Sequence, residues 1–120
     1  MFINFSNHPS ENWGEAQTKA ALEYGEIVDY PFPAVESFWD DEKMQMEIED
    51  CGRKIAALNP AAVLCQGEFV LTFGVVKFLK AHGIKCLSAY SRRESEEVTK
   101  PDGSVEKRSI FLFEKFREYL

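Results

Sequence analysis

The five-residue run Ala61–Cys65, AAVLC, limits most strongly what this chain can become. It is too short for a helix and wholly apolar, so as a strand it needs cover on both faces, a condition met at the centre of a parallel sheet. Helical patterns lie on either side of it. Upstream, Met44, Ile48, Cys51, Ile55 and Leu58 recur at four, three, four and three residues, which predicts a helix from about Asp40 to Leu58 that Asn59-Pro60 breaks. Downstream, a helix from Glu68 to about His82 is expected to turn Phe69, Val70, Phe73, Val76 and Leu79 inward and to stop at Gly83. Strands separated by helices pair in parallel through right-handed crossovers.

The rest of the chain continues the alternation. Residues 2–7 read as the first strand. A helix follows, with Ser10 as its cap, Glu11 and Glu15 in or near its first turn, Trp13, Ala16, Ala20, Ala21 and Tyr24 on one face, and Gly25 as its stop. Glu26–Tyr30 reads as a second strand that Pro31 and Pro33 end. Beyond it, Phe32, Phe38 and Trp39 lie in a stiff connection, where they either pack under the domain or wall a ligand. Ile84–Tyr90 is the fourth strand. Lys100-Pro101-Asp102-Gly103 is a turn closing a hairpin with arms 94–99 and 104–113. The closing EKFREYL extends the last arm or forms a short helix, and the spacing of Phe113, Phe116 and Tyr119 predicts that part of it packs down.

The expected fold class is therefore α/β: a three-layer Rossmann-like sandwich with a mainly parallel sheet and a C-terminal β-hairpin. Residues 1–120 form one domain, 1–91 as the βα core and 92–120 as hairpin and tail. Composition agrees, since 120 residues with 45% apolar and 28% charged side chains describe a soluble globular chain with a self-sufficient core. With no apolar run of membrane length and no basic segment leading an apolar one, neither a membrane nor secretion is expected. Cys51, Cys65 and Cys86 are odd in number and lack a CxxC pair, so free core thiols in a reducing cytoplasm are expected. The net charge of -6 opposes duplex nucleic-acid binding, which depends on neutralising many phosphates. A small anionic ligand stays open, because helix N-termini and a few cations suffice for it. The carboxylates of Glu47, Glu49 and Asp50 read as a solvated face, without metal-ligand spacing around them.

Parallel pairing would bring the ends of strands one, three and four to one edge. That edge collects Asn4, Ser6, Asn7 and His8 with Ser10 close behind, then Gln66, Gly67 and Glu68, then Ser88, Tyr90, Ser91, Arg92 and Arg93. Gly67 lets backbone approach a ligand at a helix N-terminus. Arg92 and Arg93 suit bidentate phosphate binding, or alternatively pair with Glu94, Glu96 or Glu97. His8 is the only neutral-pH proton-transfer group expected there, since His82 falls at the far end of its helix. No GxGxxG, P-loop, GxSxG or metal-ligand pattern occurs, so no cofactor is expected. Binding needs fewer groups than catalysis. A catalytic version would be phosphodiester cleavage, with His8 moving a proton, Ser6 or Asn7 orienting the substrate and Arg92 stabilising charge.

The turn Ser6-Asn7-His8-Pro9 ahead of Trp13, with Gln66-Gly67-Glu68 and Ser91-Arg92 in later βα units, resembles the small single-domain CRISPR-associated proteins of the CARF-like (CRISPR-associated Rossmann fold) superfamily. That resemblance implies a homodimer binding cyclic oligoadenylate across a two-fold axis, in antiviral defence, and in some members metal-independent cleavage of the ring as a ring nuclease. The chain departs from the pattern in its acidic balance and in lacking a lysine near strand one. The alternative expectation is a non-enzymatic interaction module without a small-molecule ligand. In that case the hairpin, with Ile110, Leu112 and Phe116, is the homodimer or partner interface.

Overall fold

Successive side chains of a strand point to opposite faces, and β1 (Phe2–Ser6) and β3 (Ala62–Gln66) carry apolar groups on both. In the computed structural model, which describes residues 1–120, these strands pair in parallel at the middle of one sheet. β2 (Ile27–Asp29) flanks β1, and β4 (Cys86–Thr99) runs parallel beside β3. β5 (Val105–Glu118) lies antiparallel at the far edge, giving the order β2-β1-β3-β4-β5. The three helices are α1 (Glu15–Leu22), α2 (Asp41–Ala57) and α3 (Phe69–Ala81). None is long and apolar enough to cross a membrane.

The core has two halves, one on each face of the sheet. Ile3, Phe5, Val63 and Cys65 meet Ile48, Cys51 and Ile55 of α2 and Leu71, Val75 and Leu79 of α3. Phe2, Ala62, Leu64 and Leu87 meet Ala21 of α1, with Trp13, Tyr24 and Phe116 around them. The fully buried Phe2 ring has Trp13 at 6.2 Å, Tyr24 at 5.8 Å and Phe116 at 5.2 Å, so strand, helix region and last strand share one aromatic cluster.

Several expectations shift in position. Ser10 does not cap α1. Its Oγ donates to Asp29 Oδ2 at 3.1 Å, Ser10–Asn12 forms one 3-10 turn, and α1 starts at Glu15 behind Gly14. Trp13 therefore lies ahead of the helix, not on it. In α3 the buried face is Leu71, Thr72, Val75, Val76 and Leu79, whereas Phe69, Val70 and Phe73 are exposed. The segment FVLTFGVV is apolar all round, so periodicity establishes the helix without fixing which side turns inward. Leu58, the last member of the α2 stripe, is also exposed, just before Asn59 leaves the helix with a φ of 50°.

The largest difference is in the hairpin. β4 is one strand of 14 residues, not a core strand followed by a separate arm, and β5 matches it to Glu118. β3 accompanies β4 only to Leu87, so past that point the two strands leave the body as a ribbon. The radius of gyration is accordingly 17.2 Å, against ~14 Å for a compact chain of this length. At the tip Gly103 has a φ of 86° and its N–H donates to Lys100 O at 2.9 Å, the turn that the proline and glycine predict. Ser104 donates to Asp102 Oδ1 from its hydroxyl at 2.6 Å and its N–H at 2.9 Å, which holds the Asp102 carboxyl below its ordinary range. The tail stays extended and packs down: Tyr119 Oη donates to Cys65 O at 2.8 Å and Lys80 Nζ donates to Tyr119 O at 2.8 Å.

α2 and α3 approach closely where Gly52 faces the Phe78 ring, leaving no space for a Cβ. Alanine at an ordinary helical glycine stabilises by up to ~1 kcal/mol. Here overpacking outweighs that gain, and Gly52→Ala is expected to lower stability by ~1–2 kcal/mol in urea unfolding.

Candidate functional site

Asn4 sits in the middle of β1, 2% exposed, where a bare amide would be costly. It is satisfied on every side. Nδ2 donates to Asp29 Oδ1 on β2 at 2.9 Å and to His8 O at 2.9 Å, while Oδ1 accepts from Ser6 Oγ at 2.6 Å. Ser6 Oγ in turn accepts from the His8 N–H at 3.2 Å, and Trp13 Nε1 donates to His8 O at 3.1 Å. The carboxylate of Asp29 also holds the backbone and hydroxyl of Ser10. The polar letters after strand one thus build a rigid turn, and the His8 ring is left free of that network.

The turn forms one wall of a cleft of about 760 Å³ at the C-terminal edge of the sheet. Between β1 and β3 the chain's crossovers diverge to opposite faces, and open α/β sheets bind ligands outside such points. Ser6, His8, Pro9, Asn12, Trp13, Gly14 and Gln17 line one side, and Leu64, Gln66, Ala89, Tyr90, Ser91 and Phe111 the other. No lining residue is Lys, Arg, Asp or Glu, in a chain that is 28% charged. Gln66 Oε1 accepts from the Ala89 N–H at 2.9 Å, which fixes its amide at the floor and leaves Nε2 as a donor.

Of the residues expected at this edge, the structure brings Ser6, His8, Gln66, Tyr90 and Ser91 into the cleft. Asn4 and Ser10 stand behind it as supports, and Asn7 is exposed outside it. Gly67 has the Phe32 ring where a Cβ would go, so its open side is packed and not available for close approach by a ligand. Glu68 caps α3, its carboxylate accepting from Val70 N–H at 2.9 Å and Leu71 N–H at 2.8 Å. The amides of that helix terminus are occupied by the chain's own anion. Ser88 pairs in register with Arg117 away from the cleft. Arg92 is ion-paired with Glu94 at 2.8 Å and Glu114 at 3.1 Å, and Arg93 donates to Ser109 Oγ at 2.8 Å. Neither arginine lines the cleft, so the grouping of His8, Ser6 and Arg92 is not assembled there.

Asn12, Gln17 and Phe111 are lining residues that the motif-based reading passes over. Phe111 alternates with Leu112 and shares a strand face with Phe113, and that pattern is the signal for its place on the cleft side of the ribbon, where it stays 69% exposed. Gln17 gave no signal of its own, because its role depends on α1 starting at Glu15.

The cysteines are free and buried. Burial pushes the Cys51 and Cys86 thiols up to about 11 and raises Cys65 still further, so none supplies a thiolate near neutrality.

Fold and cleft together define a small α/β protein with an uncharged polar-aromatic pocket at the carboxyl edge of a mostly parallel sheet. The chain belongs to the Uncharacterized protein MJ1673 family, whose model matches residues 1–117 and so spans the hairpin as well as the core. Neither the curated proteins nor the solved structures contain a match. The CRISPR-associated resemblance rests on the sequence motifs alone.

Two outcomes follow from this chemistry. Asn4→Ala removes the acceptor of the short 2.6 Å Ser6 bond, leaving that hydroxyl only the longer contact to His8 O at 3.3 Å, and weakens the hold on His8 O. It should cost ~1–3 kcal/mol in denaturant unfolding and raise amide exchange through residues 7–13. The thiols bind protons more tightly folded than unfolded, so the unfolded chain releases them first. Stability is therefore full below the ordinary thiol value of 9.0 and falls as pH rises towards about 11, visible as a declining Tm whose slope is reduced in Cys51→Ala.

Proposed function

We propose that this chain binds a small nucleotide through its base, held in the cleft between Trp13 and Phe111. The observation that carries the reading is the lining itself: amides, hydroxyls, one imidazole and aromatic rings without a formal charge. Such a surface suits a flat, neutral, hydrogen-bonding group such as a nucleobase and offers no lysine or arginine to neutralise a phosphate. Gln66 Nε2, Gln17 and Asn12 supply the donors and acceptors that read its edge. Any phosphates would extend outward along the hairpin, where Arg93 stands opposite Phe111 in the ribbon.

Helices on both faces of the sheet and the order β2-β1-β3-β4 support classing the fold as a three-layer Rossmann-like sandwich, within which a base at this edge is at home. The free buried thiols favour a reducing, cytoplasmic setting. Cyclic oligoadenylate, the ligand implied by the CARF-like resemblance, is one adenine-bearing candidate. A second reading, cleavage of that ring, is favoured only by His8 facing the cleft. The Ser6 hydroxyl and Arg92 are engaged elsewhere, so binding without chemistry is the stronger form.

Trp13 and Trp39 are the two tryptophans, so Trp39→Phe makes fluorescence report on the cleft. Titrating adenosine, AMP and cyclic oligoadenylates should give saturable quenching with all three. Phe111→Ala should weaken affinity about tenfold, the size of one base-stacking contact, and Arg92→Ala should leave it within about twofold. No response to any adenine ligand sinks the proposal. Linear products on chromatography, lost in His8→Ala, would establish the cleavage reading.

A further inference from the structure

We infer that the outer edge of β4, from Tyr90 to Val98, pairs antiparallel with the same edge of a second copy of this chain. This inference concerns the ribbon edge and does not depend on the cleft reading, although its first two residues, Tyr90 and Ser91, also line the cleft. Ser91 to Glu97 are all exposed, and beyond Leu87 no strand lies on the side of β4 away from β5. A lone two-stranded ribbon is marginal in water, and an open edge is a template for another strand.

The ribbon has two open edges, and they differ. β5 is blunted by the bulged residue Glu114 and by Lys107, Lys115 and Arg117 along it. Between Ser91 and Thr99, β4 has no bulge, no proline and no lysine. Its charges are ordered instead, Arg92 and Arg93 preceding Glu94, Glu96 and Glu97, a pattern that an antiparallel copy can complement.

Residues directly opposite in an antiparallel pair share a face, which leaves only alternate registers. With a two-fold axis at Glu94, Arg92 of each copy faces Glu96 of the other, and Tyr90 faces Val98, each contact made twice. The two Glu94 side chains meet at the axis, each already held by its own Arg92 at 2.8 Å. Sliding by one register in one direction keeps two arginine–glutamate contacts, Arg92 now facing Glu94, but sets Arg93 against Arg93 and replaces the Tyr90–Val98 contacts with Tyr90 against Glu96. Sliding in the other gains Arg93 facing Glu97 twice but sets Glu94 against Glu96 twice. Exposed ion pairs contribute little individually, so the backbone ladder provides the cohesion; the like-charge contacts disfavour the second slide, and the Tyr90–Val98 contacts favour the chosen register over the first.

The test is a charge exchange. Arg92→Glu and Glu96→Arg are made separately, with circular dichroism confirming that the core stays folded, and mass in solution is read by light scattering and native mass spectrometry. Wild type is expected as a dimer, and each single variant as a monomer with association at least tenfold weaker. An equimolar mixture of the two should form heterodimers, because each then meets the opposite charge. The double variant should dimerise again. Broken contacts within one chain could not produce recovery on mixing. A monomeric wild type overturns the inference, as do single variants that remain dimeric or folded variants that fail to associate when mixed.

Discussion

Everything at the cleft edge of the sheet depends on a buried amide. Asn4 occupies a position in the central strand where an apolar side chain would be the ordinary solution, and it is tolerated because both N–H bonds and the carbonyl oxygen find partners. Those partners lie on three different segments: β2, the end of β1 and the turn after it. A single side chain therefore registers β1 against β2 and fixes the path of residues 7–13. The cleft wall is rigid because it is the outer surface of this network.

The same strand shows why the aromatic cluster matters beyond its area. Phe2, two residues before Asn4 and on the same face of β1, is fully buried against Trp13, Tyr24 and Phe116. Trp13 also bonds His8 O through Nε1, so the wall of the cleft is anchored both by polar contacts and by packing. Phe116 ties in β5, and through it the base of the ribbon that supplies Phe111 to the opposite wall. Core and cleft are thus mechanically continuous at both sides.

Much of the architecture was readable from the residues. The apolar run at Ala61–Cys65, the stripe ending in Leu58 and the PDG turn each led to the observed element within about one residue. What escaped depended on choices that local pattern does not contain. The inward side of α3 was ambiguous because its first two turns are apolar all round. Ser10 has the chemistry of a cap, but its hydroxyl goes to Asp29, nineteen residues away. Gly67 and Glu68 have the right letters for an anion site, yet Phe32 fills the first and the carboxylate of the second satisfies the helix amides itself. Of the candidate site residues, Ser6, His8, Gln66, Tyr90 and Ser91 come together, while Glu68 and Arg92, whose part required a free charge, are paired within the chain and do not.

That last distinction explains the character of the cleft. In a chain rich in acids, an arginine at the surface finds a carboxylate close by in sequence before it can meet a ligand: Arg92 has Glu94 two residues away and Glu114 on the adjoining strand. The charges are therefore consumed along the ribbon. The groups left at the sheet edge are those that could not be neutralised, namely amides, hydroxyls and rings. An uncharged pocket beside a charge-ordered ribbon follows from the same acidic composition.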